Sequence, residues 1–297
     1  MTKILVGTAS WTDRSLVQAG WYPKGVSSAE DRLRYYADHF SLVEVDSTYY
    51  FLPTDQAVNA WRERTPAGFT FDLKAFSLLT QHPTDPKSMP AGMAPAGKGR
   101  VYLSHLDQDA VDDVWDRFVD SLHPLHKAHK LGAVLFQFPP WFSIKRANKD
   151  YIVECKERAR PLRISVELRH ASWFTEANRE ETLTFFRKHR IPLVSVDTPQ
   201  GARSSVPPLD ESTSGRLAVV RLHGRGRARP GLSRQAAAGE YRYPPSVLQK
   251  WVPIVERLAD QAQTVHIVFR NAYKDYAVRN AAQFQRMLEE SGLLRAA

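Results

Sequence analysis

The chain has little sulfur and no long apolar stretch. Cys155 is the one cysteine among 297 residues, so no internal disulfide can form, and its Val-Glu-Cys-Lys-Glu setting offers no histidine to activate the thiol. This excludes a disulfide-stapled scaffold and makes Cys155 a bystander. No segment reaches the roughly 18 consecutive apolar residues of a membrane span. The opening Met1-Thr2-Lys3-Ile4-Leu5-Val6-Gly7 reads directly as a strand without an apolar leader or small-residue cleavage site, so the expected location is cytoplasmic, with no membrane partner. Gly-x-Ser-x-Gly and His-Glu-x-x-His motifs are missing. Gly224-Arg225-Gly226-Arg227 lacks the Gly-Lys-Ser/Thr ending of a Walker loop, although its amides and guanidiniums could wrap an anion. Acidic residues are in deficit, 32 against 41 Lys and Arg, and the formal charge of +9 favours anionic partners such as nucleic acid or a sugar phosphate.

What is present is a repeating alternation. Short apolar runs at 3–8, 42–46, 69–74, 132–138, 163–169, 192–197, 217–223 and 265–271 read as strands. Stretches of helical period at 31–40, 54–64, 109–130, 149–159, 175–188, 245–260 and 278–290 lie between and after them. Eight strands with intervening helices predict one α/β domain over 1–297, a TIM (β/α)8 barrel, with an open doubly wound sheet as the runner-up. Two connections exceed the usual few residues, 81–107 after the third strand and 224–244 after the seventh. The first is rich in Pro and Gly, and the second carries Arg225, Arg227, Arg229, Arg234 and Arg242. Both would sit at the catalytic end of a barrel as lids or as surface insertions.

Side chains on a strand alternate between faces, and here the alternation separates aliphatic from charged residues. Val166 and Leu168 oppose Ser165, Glu167 and Arg169; Val43 and Val45 oppose Glu44 and Asp46; Phe71 and Leu73 oppose Asp72 and Lys74. In the same way Val194 and Val196 oppose Ser195 and Asp197, and Val220 and Leu222 oppose Arg221 and His223, while Gln137 and Arg270-Asn271 close the fourth and eighth strands. Burying ions costs several kcal/mol each before pairing, about as much as a small domain's whole stability, so polar residues converging from several strands indicate a site. Lys74, Arg169 and Arg221 suit phosphate or carboxylate. Glu167 and Asp197, with Lys74 and His223, are the candidate catalytic groups, and Glu44, Asp46, Gln137 and Asn271 the candidate binding groups. The carboxylates are also of the type that holds a hard divalent cation, the one cofactor class indicated. Trp11, Tyr49 and other aromatics after the strands either stack a ligand or cap the core.

Taken jointly, Gly7-Thr8-Ala9-Ser10-Trp11, Tyr22-Pro23, Glu44-Val45-Asp46-Ser47-Thr48-Tyr49-Tyr50, Phe71-Asp72-Leu73-Lys74, Gln137-Phe138-Pro139-Pro140, Glu167-Leu168-Arg169-His170 with Trp173, Arg221-Leu222-His223-Gly224-Arg225 and Asn271 with Ala277 and Asn280-Ala281 span nearly the whole chain. The set resembles the domain-of-unknown-function family numbered 72, the YecE-like bacterial proteins. The resemblance implies a TIM barrel akin to endonuclease-type and sugar-isomerase-type barrels, and adds His170 and Arg225 to the candidate binding residues. This chain departs from the family's common pattern with Asp46 and Tyr49 in Glu-x-Asn-Ser-Thr-Phe-Tyr, and with Arg270 in Phe-Asn-Asn. Both segments gain charge at the expected mouth. The expected activity is hydrolysis of a phosphate ester, foremost a nucleic-acid phosphodiester. A sugar or sugar-phosphate isomerase or epimerase and a non-catalytic nucleic-acid-binding protein are the alternatives.

Overall fold

A computed structural model of the protein describes residues 2–97, 99–201, 205–226 and 233–294. Its strands are β1 (Lys3–Ala9), β2 (Leu42–Val45), β3 (Thr70–Lys74), β4 (Leu131–Gln137), β5 (Ile164–Glu167), β6 (Ser195–Asp197), β7 (Ala218–Leu222) and β8 (Thr264–Phe269). They run parallel in the order β5-β4-β3-β2-β1-β8-β7-β6. The two ends of this order meet. Val166 N donates to Pro192 O and Val194 N to Val166 O, both at 2.9 Å, which closes the sheet into a TIM barrel and removes the open-sheet alternative.

The helices are α1 (Arg14–Gln18), α2 (Ala29–Ala37), α3 (Asp55–Glu63), α4 (Gln108–Lys127), α5 (Arg146–Arg158), α6 (Arg179–His189), α7 (Arg234–Gly239), α8 (Pro245–Leu248), α9 (Val252–Gln261) and α10 (Tyr276–Glu290). Local chemistry starts several of them: Ser28 and Asp31 form a capping box on α2, and Thr54 and Asp107 accept amide hydrogens at the starts of α3 and α4. The helix expected over 245–260 is divided by a 3-10 turn at Gln249–Trp251. Short α1 and α7 were not evident from periodicity, which needs more than two turns to register.

Valines, leucines and phenylalanines of the strands' outer faces join the helices in the main core, among them Val43, Phe71, Leu73, Phe136 and Val166. The barrel interior is layered. At its base Asp72 Oδ1 accepts from Ala133 N at 2.9 Å, and Asp72 Oδ2 lies 2.9 Å from His266 Nδ1. Gly132 passes beside this pair, where a Cβ would come within 2.4 Å of Asp72 Oδ1. Above it, Ala133, Leu135, Val194, Val196 and Val219 form an apolar plug.

That plug corrects the reading of β6. Val194 and Val196 face inward, so Ser195 and Asp197 face outward. The segment after β6 supplies the reason, because its described residues cover this strand without forming a helix. Its free backbone groups need polar partners: Ser195 Oγ donates to Leu209 O at 2.7 Å and accepts from Leu209 N at 2.9 Å. The 81–107 connection is ordered over its described residues by a Thr84–Val101 antiparallel bridge and a 2.8 Å Ser77–Thr84 hydroxyl contact. Arg227 and Arg229 of the second long connection lie outside the described residues.

Candidate active site at the barrel mouth

Several strands end in the residues that build the site, and Arg221 on β7 is its fully buried centre. Arg221 Nε donates to Glu44 Oε2 at 2.8 Å and Nη2 to Glu44 Oε1, while Nη1 donates to Glu167 Oε2. Gln137 Nε2 donates to Glu167 Oε1 at 2.6 Å. His223 Nε2 lies 3.2 Å from Glu167 and 3.3 Å from Arg221 Nη1. Two carboxylates thus share one guanidinium. Burial pushes the Glu44 carboxyl up to about 7 against the pull of Arg221. Burial acts on Glu167 too, but Arg221 and then His223 outweigh it and hold that carboxyl well below the usual range. Burial also lowers His223 to about 4, leaving it neutral at pH 7.

Above this network lies a layer of cations. Lys74 ends β3 with its side chain 5% exposed, its Nζ 3.7 Å from Asp46 Oδ1 and 4.4 Å from the centre of the Tyr49 ring. Arg270, just past β8, places Nη2 3.4 Å from Asp46 Oδ2. Asp46 and Arg270 therefore face each other. Arg169, two residues beyond β5, supplies a further guanidinium, and its Nε, like that of Arg270, is buried without a hydrogen-bond partner. Burial lowers Lys74 to about 8 although Asp46 opposes the shift. Asp46 is held below its normal range because Arg270 and Lys74 together outweigh its own burial.

One wall of the mouth is aromatic. Tyr49 lies 5.0 Å from Tyr50 and 5.3 Å from His82, and His82 lies 6.0 Å from Trp141, ring centre to ring centre. Tyr50 and Trp141 are more than half exposed, so this wall opens to solvent. His82 comes from the long connection after β3 and is fixed by a 2.8 Å contact with Thr80. Burial, reinforced by Lys74 and Arg169, lowers it to about 4. Nothing in the Pro- and Gly-rich sequence around His82 marked it in advance.

The structure thus brings together Glu44, Asp46, Tyr49, Lys74, Gln137, Glu167, Arg169, Arg221 and His223 of the sequence candidates, with Arg270. The others lie elsewhere. Asp197 is on the outer face, where Arg225 Nε donates to both its oxygens at 2.8 Å, so neither residue lines the mouth. Asn271, one position past inward-facing Arg270, donates to Tyr241 O and Asn280 Oδ1 and ties β8 to α10. Trp11 packs edge-on against Trp61 and Phe71 in the outer core. His170 Nδ1 caps a 3-10 turn by accepting from Ser172 N at 3.1 Å. The Gly224 amide is already used, donating to the Tyr243 hydroxyl at 2.8 Å, and a Cβ on Gly224 or Gly226 would collide with the carbonyl of Ala238 or Ala237 in α7. Among the described residues no group of three or more His, Cys, Asp or Glu is arranged to hold a metal ion.

A closed parallel barrel with a buried ionic network in its C-terminal mouth defines a TIM-barrel protein whose site lies at the end such barrels use. The chain belongs to the DUF72 family, whose model, described as a protein of unknown function, matches residues 5–296. It is 30% identical over 297 residues to the UPF0759 protein YunF of Bacillus subtilis (strain 168), covering 98% of this chain and 97% of YunF. Among solved structures, a DUF72 family protein of Enterococcus faecalis V583 superimposes with a TM-score of 0.79 at 26% identity, covering 96% of this chain and 95% of that one. A DUF72 family protein of Thermotoga maritima MSB8 gives 0.75 at 27% identity, with 97% and 99% covered. Among the described residues of the present chain, no helix is long and apolar enough to cross a membrane.

Proposed function

We propose that the barrel mouth binds a small anionic metabolite bearing a phosphate or carboxylate, and that the protein is an enzyme acting on it. One observation carries this reading: in the layer of Lys74, Arg169 and Arg270 hold two buried Nε–H groups without partners against one unpartnered acceptor, Asp46 Oδ1. A buried donor left unsatisfied costs about 1–3 kcal/mol, and a planar anion that accepts from both guanidiniums removes that cost. The anion's charge is also favoured, because Lys74, Arg169 and Arg270 outnumber the Asp46 carboxylate in this layer.

A small ligand fits better than a duplex. Lys74 and Arg270 expose only 5% and 16% of their side chains, so the phosphates of an intact double helix cannot descend to them. Arg225, which a backbone-binding loop would need free, is engaged by Asp197. The two carboxylates expected to serve phosphodiester hydrolysis are not free, since Asp197 faces away and both oxygens of Glu167 are occupied. Proton transfer on a sugar phosphate is the chemistry the remaining groups suit, with Lys74 able to release and recover a proton near neutrality.

Thermal denaturation with inorganic phosphate, sugar phosphates and oligonucleotides tests the reading. A ligand at 100 times its Kd adds about 2.7 kcal/mol of stability. Small phosphates should raise the melting temperature of the native protein, and Arg169→Ala should abolish the rise. Duplex DNA that binds equally well to native protein and Arg169→Ala, with no response to small anions, would refute it.

A further inference from the structure

We infer that Lys74 is a covalent nucleophile, forming a Schiff base with an aldehyde or ketone carbon of the anionic ligand. The inference rests on the anion-binding reading of the same mouth and names the ligand class more closely: a carbonyl compound carrying a phosphate or carboxylate. Lysine becomes an amine nucleophile when it is desolvated and crowded by other cations. Lys74 meets both conditions. It ends a barrel strand with 5% of its side chain exposed, and the charges facing it come from several strands: Asp46 and Glu44 from β2 and its end, Arg221 from β7 and Arg270 from just past β8. Arg169 after β5 and the rings of Tyr49 and His82 complete the surroundings.

Its ion-pair partner is weakly engaged. Asp46 Oδ1 lies 3.7 Å from Nζ, beyond hydrogen-bond distance, and the other oxygen of Asp46 faces Arg270. A structural lysine is tied more closely, as Lys130 shows in this same chain: its Nζ donates to Arg62 O, Thr65 O and Thr65 Oγ1 at 2.5–3.0 Å. The Lys74 ammonium is held in place by the Tyr49 ring, 4.4 Å away, and among the described residues no hydrogen bond engages its donors.

The ammonium gives a proton to Asp46 or solvent, and the nitrogen lone pair attacks the carbonyl carbon, forming the C–N bond. The carbonyl π pair moves to oxygen, which takes a proton. That oxygen then leaves as water with a second proton, and the nitrogen lone pair forms the C=N bond of a protonated imine. In total, the ammonium keeps one hydrogen and releases two with the oxygen. The imine withdraws electrons from the adjacent carbon, which prepares it for proton removal or carbon–carbon cleavage.

Reductive trapping tests this. The protein is incubated with glycolaldehyde phosphate or with glycolaldehyde, reduced with sodium cyanoborohydride, digested and mapped by mass spectrometry. The expected result is one adduct on Lys74 with the phosphorylated aldehyde, slowed at least tenfold for glycolaldehyde or by added inorganic phosphate. Its rate should rise with pH through about 8, whereas surface lysines should require about 10. Adducts spread over surface lysines with Lys74 unmodified would overturn the inference; if phosphate still raises the melting temperature, the anion site stands without the nucleophile. Labelling of Lys74 at equal rates with both aldehydes would keep the nucleophile and remove the anion site. Lys74→Arg, which preserves charge but has no primary amine, should lose the adduct; an adduct formed at the same rate on that variant would overturn the inference.

Discussion

Arg221→Met is the most informative single perturbation of the ionic network. It leaves the buried carboxylates of Glu44 and Glu167 without the guanidinium they share. Removing one partner of a buried pair costs about 3–5 kcal/mol, and two orphaned carboxylates place this variant at the upper end. With a urea slope of about 3 kcal/mol/M, the unfolding midpoint at pH 8 should fall by about 1.5 M. The pH dependence is the sharper test. Without Arg221 both carboxyls titrate above their unfolded value of 4.5, so the folded state binds more protons than the unfolded chain. Their protonated forms then support the fold fully below that value, and the support is lost as pH rises through the raised values. The deficit against native protein should therefore be smaller at pH 5 than at pH 8. A triple variant, Glu44→Gln, Glu167→Gln and Arg221→Met, should recover most of the loss and flatten this pH response. A deficit under about 1 kcal/mol that is constant from pH 5 to 8 would refute a charged, coupled network.

Two further outcomes concern residues outside the mouth. Asp197→Asn removes the carboxylate that accepts twice from half-exposed Arg225, and should cost about 1 kcal/mol while speeding proteolytic cleavage within 224–244; unchanged cleavage would mean that the pair does not tether this segment. Gly132→Ala brings a Cβ within 2.4 Å of Asp72 Oδ1 and 2.6 Å of His266 Cε1 at the barrel base, and should lower stability by about 1–3 kcal/mol in urea titrations, a neutral result showing that the pair can move aside.

The barrel was legible in the sequence because every strand is an apolar run, and five of them, β2, β3, β5, β6 and β7, also alternate with charge. The centre of the mouth followed from the same alternation: Glu44, Lys74, Glu167 and Arg221 all lie on the inward parity. Alternation cannot say which face is inside, and on β6 the inference failed at Asp197 because a loop covers that strand where the other strands meet helices. Beyond the last ladder residue parity alone sorts neighbours, so Arg270 turns in and Asn271 turns out to meet Asn280. His82 was invisible for another reason. It reaches the site from a long connection whose path depends on tertiary contacts such as the Thr84–Val101 bridge. Trp11 illustrates the ambiguity of aromatics after strands, since the same residue type stacks ligands or fills the layer between barrel and helices.

The account turns on one place, the space bounded by Lys74, Arg169 and Arg270. Crystals soaked in tungstate, a phosphate-like anion with strong anomalous scattering, would locate it directly. An anomalous peak should lie within about 4 Å of all three cationic groups, the reach of an ion pair, and should be lost in Arg169→Ala. Peaks confined to surface lysines and arginines, with the mouth empty at the same tungstate concentration, would contradict it.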